Sequence, residues 1–237
     1  MKKSIFRSLL LVAAAIAMVG CSKSTGRTLT SATGSIYECL VVIDDQPLTQ
    51  EQLNEVAKLS LVNEASGYTK PIASLYDLVE AVMGADMPCM PQVEPYFRVN
   101  KVTTTQFDDL FKPTRNILFV DINPQKYTQL KAKVSNDYWS TPQAICRIQS
   151  PSEEEFVSYW LEHGEEIREW FVNQEIKRQT KFYRASTNKD ARAILQAQGY
   201  DMLIPEDYML IMDTVLSGAT TYSLRNPITV APEVRLM

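Results

Sequence analysis

The sequence predicts an α/β or α+β domain in which helices pack on a mixed sheet, and three observations lead there. Short β-branched and apolar runs recur at residues 36–43, 116–122 and 143–148. Segments with helical spacing alternate with these runs, and one long amphipathic helix is expected at about 151–182. Such alternation is satisfied by burying each helix stripe against a sheet face.

Taken in order, Ile36 to Ile43 (IYECLVVI) reads as a buried strand stopped by Asp44-Asp45 and Pro47. Residues 49–62 are weakly helical, and Gly67 to Pro71 breaks them. From Ile72 to Met83 apolar residues recur at helical spacing, with Gly84 as terminator. Pro88, Pro91 and Pro95 make an extended connector, and Tyr96 to Val102 alternates like an edge strand. Thr103 and Gln106 have capping-box spacing and predict a short helix through Phe111, ended by Lys112-Pro113-Thr114. Asn116 to Ile122 (NILFVDI) is the clearest central strand, and another spans roughly Gln143 to Ile148. Ser150-Pro151-Ser152-Glu153 then opens the long helix, whose stripe is Phe156, Trp160, Ile167, Trp170 and Phe171. Ser186 is expected to cap a further helix stopping at Gly199, with a last strand over Tyr200 to Ile204. Residues 213–237 show no strong period and are expected to be an irregular, even truncated, tail in which Ile228-Thr229-Val230 is the one strand-like run.

The first twenty residues have a different logic. Lys2, Lys3 and Arg7 precede eleven unbroken apolar residues, Leu9 to Val19. Eleven is too short for a bilayer, which takes about 20, but fits the apolar region of a secretion signal. Met18-Val19-Gly20-Cys21 resembles a lipobox, the signal motif of bacterial lipoproteins, with Met18 where Leu is usual. The resemblance implies cleavage before Cys21 and lipidation of its thiol, palmitate included. Two or more acyl chains hold a protein stably on a membrane. Ser22, where retained inner-membrane lipoproteins carry Asp, implies the outer membrane, and the absence of an acidic run after Cys21 implies the periplasmic face. The organisation expected is thus a signal at 1–20, a flexible polar tether at 21–35 and one domain at 36–212.

Losing residues 1–20 removes three bases and no acid, so the formal charge moves from −4 to −7. That disfavours nucleic acid, which asks for a clustered basic face, and leaves covalent lipid as the expected membrane contact. Beyond Cys21 there are Cys39, Cys89 and Cys146. Cys39 and Cys146 sit in apolar strand-like runs, where core packing outweighs a disulfide or a reactive thiol.

Chemistry is sparse. His163 is the single histidine, which excludes H-E-x-x-H and multi-histidine zinc sites, and it falls near the helix stripe, where a structural role is the simpler reading. No phosphate-cradling glycine loop and no C-x-x-C occurs, so neither cofactor nor metal is expected. Asp44, Asp45 and Asp121 end strands, where open α/β sheets hold ligands, and an acid pair would suit a glycosidase. Solvated turns and structural pairing are the plainer accounts. Glu153-Glu154-Glu155 complements a helix N-terminus. Arg115, just before the central strand, is placed to clamp an anionic or sugar-like ligand or to bridge to a helix. Trp139, in Tyr138-Trp139-Ser140, is either a stacking platform for a glycan or a core-closing ring.

Several segments carry a family resemblance: Ser31-Ala32-Thr33-Gly34, Met90-Pro91-Gln92-Val93-Glu94-Pro95, Lys112-Pro113-Thr114-Arg115-Asn116-Ile117, and Tyr138-Trp139-Ser140-Thr141-Pro142-Gln143-Ala144. In that order, behind a lipobox, they resemble the domain-of-unknown-function 4837 family of Bacteroidetes-type lipoproteins, over residues 31 to about 212. The resemblance brings no catalytic residue. The expected function is therefore a non-catalytic, lipid-anchored envelope module binding a protein or glycan. A carboxylate-based glycan or cell-wall hydrolase is the alternative, and an assembly or stress-response accessory factor a third reading.

Overall fold

The computed structural model describes residues 28–58, 70–216, 219–225 and 234–236. Cys21 and the signal-like segment, as well as Ile228-Thr229-Val230, lie outside the described residues. The centre is a five-stranded sheet built from β1 (Glu38–Ile43), β2 (Arg98–Val102), β3 (Asn116–Ile122), β4 (Lys131–Asn136) and β5 (Ala144–Ser150). Its spatial order is β2-β1-β3-β5-β4. The first four in that order run parallel, and β4 pairs antiparallel with β5 along the edge. The fold is α+β, with a mixed sheet as the sequence predicts.

Helices cover one face. α1 (Gln50–Lys58) and α2 (Leu75–Met83) lie in the crossover from β1 to β2, and α3 (Glu153–Ala185) follows β5. Cys39, Val41, Leu118, Val120, Cys146 and Ile148 point to that face and meet Leu78, Val82, Phe156, Trp160 and Phe171. The opposite face carries Leu40, Val42, Ile117, Phe119 and Ile145, closed by Phe107, Phe111 and Trp139. Two-sided burial explains why β1 and β3 read as continuous apolar runs.

Local chemistry sets the helix ends. Ser74 Oγ accepts from Asp77 N–H while Asp77 accepts from Ser74 N–H, a full capping box for α2. α3 starts at Ser152, not Ser150: Ser152 Oγ accepts from Glu155 N–H at 3.2 Å, and Ser150 Oγ donates to the Ser152 carbonyl. Its 33 residues reach Ala185, three beyond the expected end. Arg168, 8% exposed, lies on the buried side of α3; it donates to the Val82 carbonyl at 3.2 Å in the last turn of α2 and rests on the Tyr96 ring. Gly164 is where α3 comes closest to its own tryptophan, since a Cβ there would sit 3.1 Å from the Trp160 ring. Trp160 is fully buried, so its ring must shift within the core to make room. Gly164→Ala is therefore expected to destabilise the protein by about 1–2 kcal/mol despite the better helix former, checked by urea unfolding.

Five expectations change. Residues 103–111 form turns without a helix: the Thr103–Gln106 reciprocal hydrogen bonds are present, at 3.0 and 3.3 Å, but the chain then turns to drop Phe107 and Phe111 onto the sheet. Tyr200 to Ile204 is no strand. Ile204 packs instead with Ala191 and Leu195 of α4 (Lys189–Ala197), which is capped by Asn188 and not by Ser186. Where no period is visible, β6 (Met209–Leu216), β7 (Ala219–Arg225) and β8 (Val234–Leu236) make an antiparallel sheet. Finally, residues 32–35, expected to end a flexible tether, are tied down: Ala32 N–H donates to Thr141 O, Thr33 N–H to Pro113 O, and Arg115 N–H to Thr33 O.

Candidate functional site

At the amino end of β3 the sequence brings two arginines to one buried acid. Glu175 lies on α3 four residues past Phe171, on the same buried line, and its side chain is 0% exposed. Arg115 holds it bidentately: Nε donates to Oε1 at 2.8 Å and Nη2 to Oε2 at 2.7 Å. Arg178 Nη1 donates to Oε1 at 2.8 Å, and Asn116 Nδ2 does the same at 2.8 Å. Asn116 also donates to the Glu38 carbonyl and accepts from Arg178, so its amide is fully used. Burial alone would push the Glu175 carboxyl up. The hydrogen bonds from Arg115 and Asn116 and the charge of Arg178 outweigh it and hold the acid below the usual carboxylate range. Arg115 thus bridges to a helix, and its fork is occupied by Glu175.

Asp121, at the carboxyl end of β3, is partly exposed. It accepts from the Tyr127 hydroxyl and from Lys126 Nζ at 3.0 Å. Burial opposes ionisation there, but those two donors keep its carboxyl below its ordinary range. Asp45 accepts Tyr76 N–H at 2.9 Å near the start of α2 and pairs with Lys101, while Asp44 accepts from Thr104 N–H and its hydroxyl. Each of the three aspartates therefore fixes a neighbouring loop or helix start.

Trp139 is half-buried and packs on Phe119 and Phe107 with centroids at 6.0 and 5.7 Å, closing the helix-free face. Gln143 buries its amide beneath it, donating to the Lys112 and Thr114 carbonyls and accepting from Trp139 N–H. His163 stands on the outer side of α3 beside Glu166 and Tyr159. Cys39 and Cys146 are buried free thiols, pushed up by desolvation, Cys146 to about 12; Cys89 is exposed and also free. Among the described residues no group of three His, Cys, Asp or Glu side chains is placed to hold a metal ion, and no helix is long and apolar enough to cross a membrane.

The sequence reading missed Glu175 and Arg178 because they lie in a polar stretch, Asn173 to Thr180. Their spacing was the available signal: Phe171, Glu175 and Arg178 continue the stripe by steps of four and three.

A family model described as Domain of unknown function (DUF8532) matches residues 54–184, more than half of the chain. The match is to a domain of unknown function, as the resemblance implied, but to this model and not to the 4837 family. Comparison with curated proteins and with solved structures gives no match.

Proposed function

The chain belongs to the DUF8532 family, and from that premise we propose that it is a lipid-anchored module of the bacterial envelope that binds a protein or glycan partner. One observation carries the reading: a basic, then apolar, then compact segment ends at Cys21, ahead of polar residues that lead into the domain. The anchor would be covalent lipid on Cys21, with the outer membrane, periplasm-facing, as its place. Arg115, Asp121 and Trp139 are committed to internal contacts, so in this reading a partner meets other residues of the domain.

Lipid anchoring is tested first. Palmitate labelling and sedimentation with membranes are expected for the native chain, and Cys21→Ser should abolish the label and release the protein into the soluble fraction. Labelling that persists in Cys21→Ser overturns the anchor. Crosslinking in intact envelopes then tests the binding role: a recovered partner is expected, while turnover of a glycan panel with no partner recovered would replace this reading by the carboxylate-based hydrolase.

A further inference from the structure

Helices cover only one face of the central sheet, and on the other the Phe107–Phe111 loop and Trp139 pack over β1, β2 and β3. Toward the β4 edge the same face is polar and basic. Antiparallel partners share a face, and Lys133 pairs with Arg147 while Lys131 pairs with Gln149. Lys131 and Lys133 are exposed, and neither they nor Arg147 forms an ion pair among the described residues. Arg115, Arg178 and Lys101, by contrast, are each paired with a carboxylate.

The placement has a cost. Like charges directly opposite on neighbouring strands destabilise a sheet, and Lys133 faces Arg147, whose charge also reaches Asp121 on the next strand. Arg147 is further held by its neighbour: its guanidinium carbon sits 4.3 Å from the Phe119 ring centroid, which fixes a planar fork on the surface. Around it, Gln149 donates to Tyr127 Oη at 3.0 Å, Lys126 pairs with Asp121, and Tyr138, 56% exposed, stands edge-on to Trp139. The face thus holds three cations within two strands, amide and hydroxyl groups at one end and an exposed aromatic ring near the other.

We propose that this face binds an acidic glycan, a chain of sugars bearing carboxylates. Side chains two apart on β4 are separated by ~7 Å and those across the β4–β5 pair by ~5 Å, a grid on which carboxylates of one chain meet Lys131, Lys133 and Arg147 together. Hydroxyls of the sugars are served by Gln149 and Ser135, and a sugar ring by Tyr138. The β4 and β5 positions on this face offer no exposed aliphatic side chain for a lipid surface. The choice of a glycan rests on the envelope reading above; the anion site rests on the geometry alone.

The test uses the full chain in detergent, with polygalacturonate as probe and its methyl-esterified form as the neutral match. Binding that weakens with salt is expected for the acid form only. K131A/K133A should weaken it roughly tenfold, whereas K177A/K181A, which removes the same charge from the exposed side of α3, should change it less than twofold. Lys133→Thr serves as the folding control. It relieves the facing charges, so its melting temperature is expected to rise by about 1–3 °C while affinity falls. Equal losses in both double variants, equal binding of the esterified polymer, no binding at all, or tighter binding to polyglutamate or to phosphatidylglycerol vesicles would each overturn the proposal. None of these outcomes touches the Cys21 labelling experiment, so the two readings fail separately.

Discussion

Glu175→Ala is expected to lower the free energy of unfolding by about 3–5 kcal/mol, because it leaves two guanidinium groups and the Asn116 amide facing each other without their acceptor. Arg115 and Arg178 have side-chain exposures of 18% and 10%, so water replaces the carboxylate poorly. The expected cost belongs to the uncompensated cations and not to the attraction of a pair. A triple replacement by apolar residues, Arg115→Met with Glu175→Leu and Arg178→Met, should therefore recover much of the loss. Urea unfolding of both variants checks this, and a triple variant as unstable as Glu175→Ala would contradict the account.

The same group gives a pH signature. The folded-state pKa of Glu175 is depressed by Arg115, Asn116 and Arg178 against the opposing effect of burial. A depressed acid contributes stability that is fully present above the unfolded value, about 4.3 for glutamate, and is lost as pH falls through the lower folded value. The native protein should thus lose stability steeply below about pH 4, and a Glu175→Gln variant should lose less over that interval, because the component carried by Glu175 is already gone. Parallel pH curves for the two proteins would contradict the assignment.

Trp160→Ala is the second large effect, expected at about 3–5 kcal/mol. The ring is 0% exposed, stacks on Phe156 at 6.1 Å and donates its Nε1–H to the Leu78 carbonyl at 3.2 Å. It thereby joins α3 to α2 over the sheet. The loss should be mostly a cavity, since Leu78 O lies inside a helix that supplies its own N–H partners. Trp160→Phe keeps much of the volume and should cost about 1–2 kcal/mol. The tryptophan also determines what Gly164 can tolerate. In a Trp160→Ala background, Gly164→Ala should become neutral or stabilising, a non-additivity readable from a double-mutant cycle.

How much of this was legible depends on burial. β1, β3 and β5 have side chains in contact on both faces, so Val41, Val42, Leu118 and Phe119 announced them. β4 was invisible because its sequence, Lys131 to Asn136, has only Ala132 and Val134 as apolar positions, and both are exposed at the sheet edge. Lysine on an edge strand is a common guard against further strand pairing, so polarity hid the element rather than excluding it. The turn over 103–111 carried a helix-start signature that formed and went no further: Leu110 is 77% exposed, and burial of Phe107 and Phe111 fixed the path of the chain instead. Tyr200 and Met202 alternate with Ile204 like a strand, yet only Ile204 finds a core. Arg115 was readable as important and its partner was not, because Glu175 is 60 residues away and no local pattern links them.

The parallel register of the sheet also has a consequence for the time course of folding. β1 is made early but has no local partner: Leu40 has to find Asn100 on one side and Ile117 on the other, and β3 then waits for Ala144 to Ser150. Contacts of that sequence separation pay loop-closure entropy before they return any pairing energy, so chains rich in them fold slowly. The antiparallel hairpin of β4 and β5, with Lys131 opposite Gln149, is the shortest closure available in the sheet and the natural first nucleus. Stopped-flow refolding should accordingly be limited by β1 docking, with substitutions at Val41 or Val42 changing the folding rate more than the unfolding rate.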